Sequence, residues 1–331
     1  MIISDKQELR RCVKQLVRRA EVFVAELDFD VKNGSLGVEA ALDQWARPAA
    51  SPSESLQRSC VDQTPFHPDA AAMFAALDAM DLPVKDLDRA ASVQHSYERE
   101  AYLSELLDTM RAKCILVRVS MDQATQVSFD DHRFCPLLVA DDHLFTPGRY
   151  GVDYASVAKA IADAALMCDA SNIKMNTFDA QAMRYCILPI CQEHGFTLHL
   201  KLKTKEEIEQ FTILLDHFDG VHAVVSTSED LQKTLINAAI ERIRMLVQID
   251  IDHIPYALGK LGTRFAPLVA CASVPELMLG RWLCAKEAIW QTLADAYLPL
   301  ARSGYELQSA AIERDVRRIL SQNLMTFCST P

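Results

Sequence analysis

The sequence lacks several features that mark large classes of protein. It has no excess of basic charge, since 34 lysines and arginines face 45 acidic residues and the net charge is −11. Nucleic acid and membrane surfaces are therefore not expected as partners. No stretch approaches the roughly 18 uninterrupted apolar residues of a membrane helix. With only 10 glycines and no glycine-rich phosphate fingerprint, a phosphate-binding loop is not favoured either.

Paired metal-binding and redox motifs are also absent. The 10 cysteines include no Cys-x-x-Cys, and the 9 histidines include no His-x-His. The cysteines are scattered through apolar segments, which is typical of reduced, mostly buried thiols. The amphipathic first 20 residues are interrupted by charges and do not resemble a secretory signal. These observations predict a cytoplasmic protein.

Eight short apolar runs recur along the chain. Each ends in polar residues, and most are followed by a stretch with helical periodicity. Eight βα units are what a (β/α)₈ TIM barrel requires, and the length suits one such α/β domain over 1–331. The runs are EVFVAELDFD (21–30), KCILVRVSMD (113–122), FCPLLVADD (134–142), SNIKMNTFD (171–179), FTLHLKLK (196–203), VHAVVSTSED (221–230), MLVQIDID (245–252) and APLVACAS (266–273).

One interval departs from this alternation. Residues 33–112 separate the first two runs by far more than a βα unit needs, and they contain five prolines. Their last part, YEREAYLSELLDTM (97–110), has a helical pattern. We predict a mostly helical insertion after strand 1, suited to a lid or to a contact between copies in a homo-oligomer.

The polar ends of the runs supply the candidate site. In such barrels the reactive groups lie at the carboxyl ends of the strands. Side chains of both charge signs stand there, as a pocket for a small polar ligand requires. We single out Asp28, Asp30, Asp141, Lys174, His199, Lys201, Ser226, Asp250, Asp252 and Cys271.

Most of these residues also have a plainer interpretation. Asp28 and Asp30 are either acid/base groups or hard-metal ligands, or else solvated carboxylates at a strand end. His199, between two leucines, is either a ligand or a hydrogen-bonded residue of the barrel interior. Lys174 and Lys201 are Schiff-base nucleophiles, anchors for a substrate carboxylate, or partners in a salt bridge with an aspartate across the mouth.

The end of the chain carries a longer pattern. The eighth run leads into a Pro-Glu turn and a helix with an arginine, and the chain closes with a segment of the form ILxxN. On these residues the chain resembles the amidohydrolase superfamily, near its uronate (glucuronate) isomerase-like and nodulin/FluG-like branch. The segments at 97–110 and 194–202 are similar too. The matching residues are Pro275, Glu276, Arg281, Ile319, Leu320 and Asn323.

The resemblance implies a TIM barrel with a metal-activated water. The family holds its metal with a His-x-His on strand one, often a lysine or glutamate on strand four, histidines on strands five and six, and an aspartate on strand eight. Here the triplet at 28–30 is Asp-Phe-Asp, while Lys174 and His199 match strands four and five. Ser226 or Thr227 replaces the strand-six histidine, and 270–273 contains no aspartate. The comparison implies a degenerate metal site.

We therefore predict no metal cofactor. The alternative is a divalent ion such as Mg²⁺, Mn²⁺ or Zn²⁺ on Asp28, Asp30 and His199. Two aspartates and one histidine suit Mg²⁺ or Mn²⁺ better than Zn²⁺, which prefers nitrogen and sulfur ligands.

Three functions remain open. The first is a divergent hydrolase or isomerase for a small polar or acidic sugar-like substrate, with Asp28, Asp30, Lys174 and His199 as catalytic residues. The second is a non-catalytic relative that binds a ligand or a partner protein. The third is a metal-independent Schiff-base lyase that uses a lysine. The predicted substrate-binding residues are Lys201, Asp141, Ser226, Asp250, Asp252 and Cys271.

Overall fold

Eight parallel strands form the centre of the structure. The computed structural model describes residues 2–3, 5–28, 68–82, 99–140, 142–146, 152–269, 274–303 and 305–328. The strands lie side by side in chain order, each hydrogen-bonded in parallel to the next. They are β1 (Val22–Leu27), β2 (Ala112–Ser120), β3 (Phe134–Ala140), β4 (Asn172–Met175), β5 (Thr197–Leu202), β6 (His222–Thr227), β7 (Met245–Ile249) and β8 (Phe265–Pro267).

Helices follow the strands and cover the curled sheet. They are α1 (Lys6–Arg19), α2 (Pro68–Ala79), α3 (Arg99–Met110), α4 (Tyr154–Met167), α5 (180–194), α6 (Lys205–Leu215), α7 (Gln232–Ala238), α8 (Ile254–Leu261), α9 (Pro275–Arg302), α10 (Ser309–Arg317) and α11 (Asn323–Cys328). Two π-helical turns interrupt the helices, Met183–Ile187 within α5 and Arg318–Gln322 between α10 and α11. None of the helices in the described part of the chain is long and apolar enough to cross a membrane.

The fold class predicted from the eight runs is confirmed, because each run overlaps one observed strand and the sheet is an α/β TIM barrel. Local signals explain where several helices begin and end. The Asp5 carboxylate accepts hydrogen bonds from the backbone N–H groups of Gln7 and Glu8 at the start of α1. Gly195, at φ 71°, ends α5 in the left-handed conformation that glycine adopts without strain.

Two apolar clusters divide the core. The larger one lies between the outer face of the sheet and the helices. The smaller one joins one inward side chain from each of six strands to the C-terminal helix α11, and it fills the barrel interior. Its buried members are Phe23, Leu116, Leu137, Val224, Leu246, Ala266, Leu324 and Cys328.

The C-terminal segment packs against the barrel beside its first and last strands. The turn Arg318–Gln322 contacts both β1 and β8. Asn323 Nδ2 donates hydrogen bonds to the carbonyl oxygens of Thr263, at 2.6 Å, and Phe265, at 2.8 Å. At the other end of the chain, Ile2–Ile3 pairs antiparallel with Leu307–Gln308. The start of the described chain is therefore held by the segment that directly precedes α10.

The predicted insertion at 33–112 is described only in part. Helices α2 and α3 lie within it, and both pack against α9. The stretches 33–67 and 83–98 lie outside the described residues. The extent of the insertion and its role as a lid or an oligomer contact stay predictions.

Candidate functional site

The barrel interior is polar on one side. Strands β4 and β5 contribute no residue to the apolar cluster that fills the interior. Their register partners Lys174 and His199 align with Val224 on β6, which belongs to that cluster. Lys174 and His199 therefore point to the same face of the sheet as Val224, into the barrel interior. Because parallel strands all end at the same edge of the barrel, polar groups beyond these residues gather at its carboxyl end.

Four charged side chains form a cluster at this carboxyl end. Lys174 Nζ forms an ion pair with Glu26 Oε1, which also lies 3.5 Å from Arg118 Nε. Arg118 Nη1 is 3.2 Å from Asp28 Oδ2. The side-chain exposure is 17% for Lys174, 25% for Glu26, 30% for Arg118 and 58% for Asp28. We call these four residues the mouth cluster.

Two members of the mouth cluster are absent from the residues predicted by sequence. A salt bridge was expected for Lys174, but its partner is Glu26, while Asp28 pairs with Arg118. The register between β1 and β2 shifts between Val24 and Leu27, so simple alternation does not predict which way Glu26 points. The inward direction of Arg118 could have been predicted, because it follows Leu116 at the strand period of two.

The His199 imidazole points deeper into the barrel than the side chains of the mouth cluster. It is 6% exposed, and its Nε2 is 3.1 Å from Asn172 Oδ1 and 3.6 Å from Cys328 Sγ. Asn172 begins β4, so these contacts point toward the amino end of the barrel. Asn172 Nδ2 donates to the carbonyl oxygen of Cys328, which leaves Oδ1 to accept the proton on His199 Nε2. Burial, and then the charge of Lys174, lowers the pKa of His199 to about 3.

A second polar group lies at the ends of β6 and β7. Asp250 directly follows β7, and its Oδ2 accepts a hydrogen bond of 3.1 Å from Nε2 of the fully buried Gln232. Burial raises the pKa of the Asp250 carboxyl. Lys201 on β5 is exposed, and its register partner Ser226 on β6 is half-buried. Asp252, in the short turn after β7, is exposed.

The structure thus separates the predicted site residues into groups. Asp28 and Lys174 belong to the mouth cluster, whereas Lys201, Ser226, Asp250 and Asp252 lie on or beyond the last part of β5, β6 and β7. His199 is directed toward the amino end. The remaining three predicted residues, Asp30, Asp141 and Cys271, lie outside the described residues.

A cavity adjoins the ends of β7 and β8. Its volume is about 230 Å³, and its lining includes Ile251, Leu268, Val269 and Arg281. Arg281 is the arginine of the C-terminal sequence pattern. The cavity places a cationic side chain among apolar neighbours beside the barrel mouth.

The donor set described at the mouth does not fit a divalent cation. Both carboxylates of the cluster contact cationic side chains, because Glu26 contacts Lys174 and Arg118 and Asp28 contacts Arg118. A cation placed between them would be repelled by two positive charges. His199, the third candidate ligand, is directed away from Asp28. Within the described ranges, no three His, Cys, Asp or Glu side chains are arranged to hold a metal ion together.

Comparison with solved structures gives matches along almost the whole chain. A uronate isomerase from Bacillus halodurans superposes with a TM-score of 0.86 and 15% sequence identity, covering 99% of this chain and 98% of that one. The chain has the uronate isomerase fold. Glucuronate isomerase from Caulobacter crescentus matches with a TM-score of 0.63 and 10% identity, over 99% of this chain and 95% of that one.

A proposed metal-dependent hydrolase from Lactobacillus casei also matches, with a TM-score of 0.60 and 12% identity over 96% of this chain and 97% of that one. No family model matches the chain, and no curated protein sequence matches it. At these identities the likeness establishes the fold alone. Within the uronate isomerase fold, the mouth cluster lies where barrel enzymes carry their chemistry.

Proposed function

We propose that this protein binds a small acidic, sugar-like molecule at the carboxyl end of its barrel and acts on it as a divergent isomerase or hydrolase. The observation that carries the proposal is the mouth cluster, which places two cations and two carboxylates on β1, β2 and β4 at the end where barrels bind substrates. The fold shared with a uronate isomerase supports the choice of an acidic sugar.

The chemistry of the four side chains suggests their roles. The planar guanidinium of Arg118 matches a carboxylate through two parallel hydrogen bonds. A substrate carboxylate would therefore compete with Asp28 for Arg118. Asp28, the most exposed member, would then be free to transfer protons together with Asp30. Lys174, held by Glu26, would hold a substrate oxygen by hydrogen bonding.

A second candidate function is ligand binding without catalysis. Each carboxylate of the mouth cluster contacts a cation, and the charges of the four side chains sum to zero. Catalytic carboxylates are usually arranged so that their proton affinities differ from those of ordinary surface groups. A neutralised cluster is also what a binding site without turnover would have.

The geometry does not favour a Schiff-base lyase that uses Lys174. The Lys174 amine is engaged in an ion pair with Glu26, so this contact would have to break before the amine could attack a carbonyl. Lys201 is exposed and remains the alternative lysine. Borohydride trapping with a carbonyl substrate would identify either lysine, and trapping on Lys174 would contradict this interpretation.

The test combines binding and turnover in one protein preparation. Calorimetry with a panel of uronates and aldonic lactones measures binding, and proton NMR in D₂O detects isomerisation or hydrolysis. We expect Arg118→Met to weaken binding about tenfold or more, because a charge-assisted pair contributes about 1.5–3 kcal/mol. Arg10→Met, at an exposed ion pair with Asp295, is the matched control and should leave binding unchanged.

Each outcome selects one function. Turnover that is lost in Asp28→Asn while binding persists supports the enzyme. Binding without turnover supports the non-catalytic candidate. No binding by any acidic sugar overturns both. Metal content is measured by plasma mass spectrometry on protein purified without chelator. Near-stoichiometric metal that disappears in the Asp28→Ala/Asp30→Ala variant would show that the metal site is intact.

A further inference from the structure

The amino end of the barrel holds a pair of facing thiols, far from the chemistry of the mouth. Cys114 on β2 and Cys135 on β3 are both half-buried, and their sulfur atoms are 3.5 Å apart. This is hydrogen-bond distance for an S–H donor and a sulfur acceptor. Both side chains pack against the apolar cluster of the barrel interior, which also contains Cys328.

The contact makes the two thiols unequal. A hydrogen bond from the Cys114 thiol lowers the pKa of Cys135 to about 7, and the same contact raises the pKa of Cys114. Six other cysteines in the described chain also have a shifted pKa. In each of them the pKa is raised, and burial is the main cause. They are Cys12, Cys168, Cys186, Cys191, Cys284 and Cys328.

We propose that Cys135 is a site of oxidation by hydrogen peroxide and that Cys114 is its positioning residue. The Cys135 thiolate attacks one peroxide oxygen, so that an S–O bond forms and the O–O bond breaks. The sulfur loses two electrons and becomes a sulfenic acid. The leaving hydroxide takes a proton from solvent and becomes water. Cys114 acts by holding its S–H toward Cys135, which stabilises the reacting thiolate.

Strand geometry prevents the sulfenic acid on Cys135 from condensing with Cys114 to a disulfide. Leu116, not Cys114, is the register partner of Cys135, so Cys114 lies two residues back along the neighbouring strand. With a rise of about 3.3 Å per residue and a strand spacing of about 4.8 Å, the two Cα atoms are roughly 8 Å apart. A disulfide requires Cα atoms within about 7 Å. The pair can therefore share a proton but cannot form a bond while both strands stay in register.

Peptide-resolved mass spectrometry tests this directly. The folded full-length protein is treated with limiting hydrogen peroxide at neutral pH and trapped with dimedone, which labels sulfenic acids. We expect Cys135 to be labelled about tenfold or more faster than Cys284, which is the more exposed thiol but has a raised pKa. Faster labelling of Cys284 would mean that exposure alone decides reactivity, and it would overturn the proposal.

Two variants of Cys114 separate positioning from packing. Cys114→Ser keeps a hydrogen-bond donor and should keep the labelling rate of Cys135 within about threefold, whereas Cys114→Ala removes the donor and should slow labelling about tenfold. Equal rates in both variants would overturn the role of Cys114. A Cys114–Cys135 disulfide in the folded protein would overturn the geometric argument. Circular dichroism on each variant confirms that the protein is folded before labelling.

Discussion

The burial of His199 predicts a specific loss of stability in acid. Its imidazole is buried between Asn172 and Cys328, and its pKa is lowered from 6.5 to about 3 in the folded chain. Between these values the unfolded chain binds a proton that the folded chain does not. The contribution of the neutral His199 imidazole to the free energy of unfolding is therefore fully present above pH 6.5, and it is lost as the pH falls toward 3.

The size of the effect follows from the two pKa values. One pKa unit corresponds to 1.36 kcal/mol. The value pH 5.0 is about 1.5 units below the pKa of the unfolded imidazole. At this pH the imidazole is protonated in the unfolded chain and neutral in the folded chain. The free energy of unfolding should therefore fall by about 2 kcal/mol between pH 7.5 and pH 5.0 because of this one residue.

Chemical denaturation at the two pH values measures this quantity. His199→Gln keeps a side-chain N–H for Asn172 Oδ1 but has no titration in this range. Its free energy of unfolding should fall by about 2 kcal/mol less than that of the wild type between pH 7.5 and pH 5.0. His132→Gln, at a side chain that is 94% exposed, is the matched control and should follow the wild type. Equal pH dependence of His199→Gln and wild type would refute the burial of a neutral imidazole.

Three further predictions concern packing and pairing. A Cβ on Gly280 would lie 1.7 Å from a backbone oxygen of α2, so Gly280→Ala should lower the free energy of unfolding, measured by thermal denaturation, by roughly 3 kcal/mol. The control Gly259→Ala, where a Cβ meets open space, should raise it by up to about 1 kcal/mol. Asn323→Ala should lower the free energy of unfolding, measured by urea denaturation, by about 2 kcal/mol, because the carbonyl oxygens of Thr263 and Phe265 lose their hydrogen-bond donor. A Glu26→Gln and Lys174→Met double-mutant cycle should give a coupling of about 1–3 kcal/mol, and additive losses would mean that the pair is not formed.

The strands could be predicted because their signal is local. A parallel strand covered by helices on one side and by the filled interior on the other reads as a short continuous apolar run. Each of the eight runs overlaps a strand for this reason. The ends were less predictable. The run at 266–273 extends past the end of β8 at Pro267, because Leu268 and Val269, which follow the strand, are as apolar as strand residues.

The site was predictable in kind but not in pairing. That charged groups gather at the strand ends follows from the barrel, and Asp28 and Lys174 were found in this way. The partner of Lys174 could not be found, because the irregular register of β1 decides whether Glu26 points into the barrel. The contact of His199 with Cys328 joins residues 129 positions apart and depends on where the C-terminal segment packs.

The sequence by itself therefore determined where the eight strands lie, the barrel class, and two of the four charged residues of the mouth cluster, Asp28 and Lys174. These depend on residue size, apolarity and spacing, which act over a few neighbouring positions. Only the tertiary structure decided which charges meet, which histidine is buried and which thiols face each other. Such contacts depend on the twist and register of strands distant in the chain, and a shift of one residue reverses the direction of a side chain.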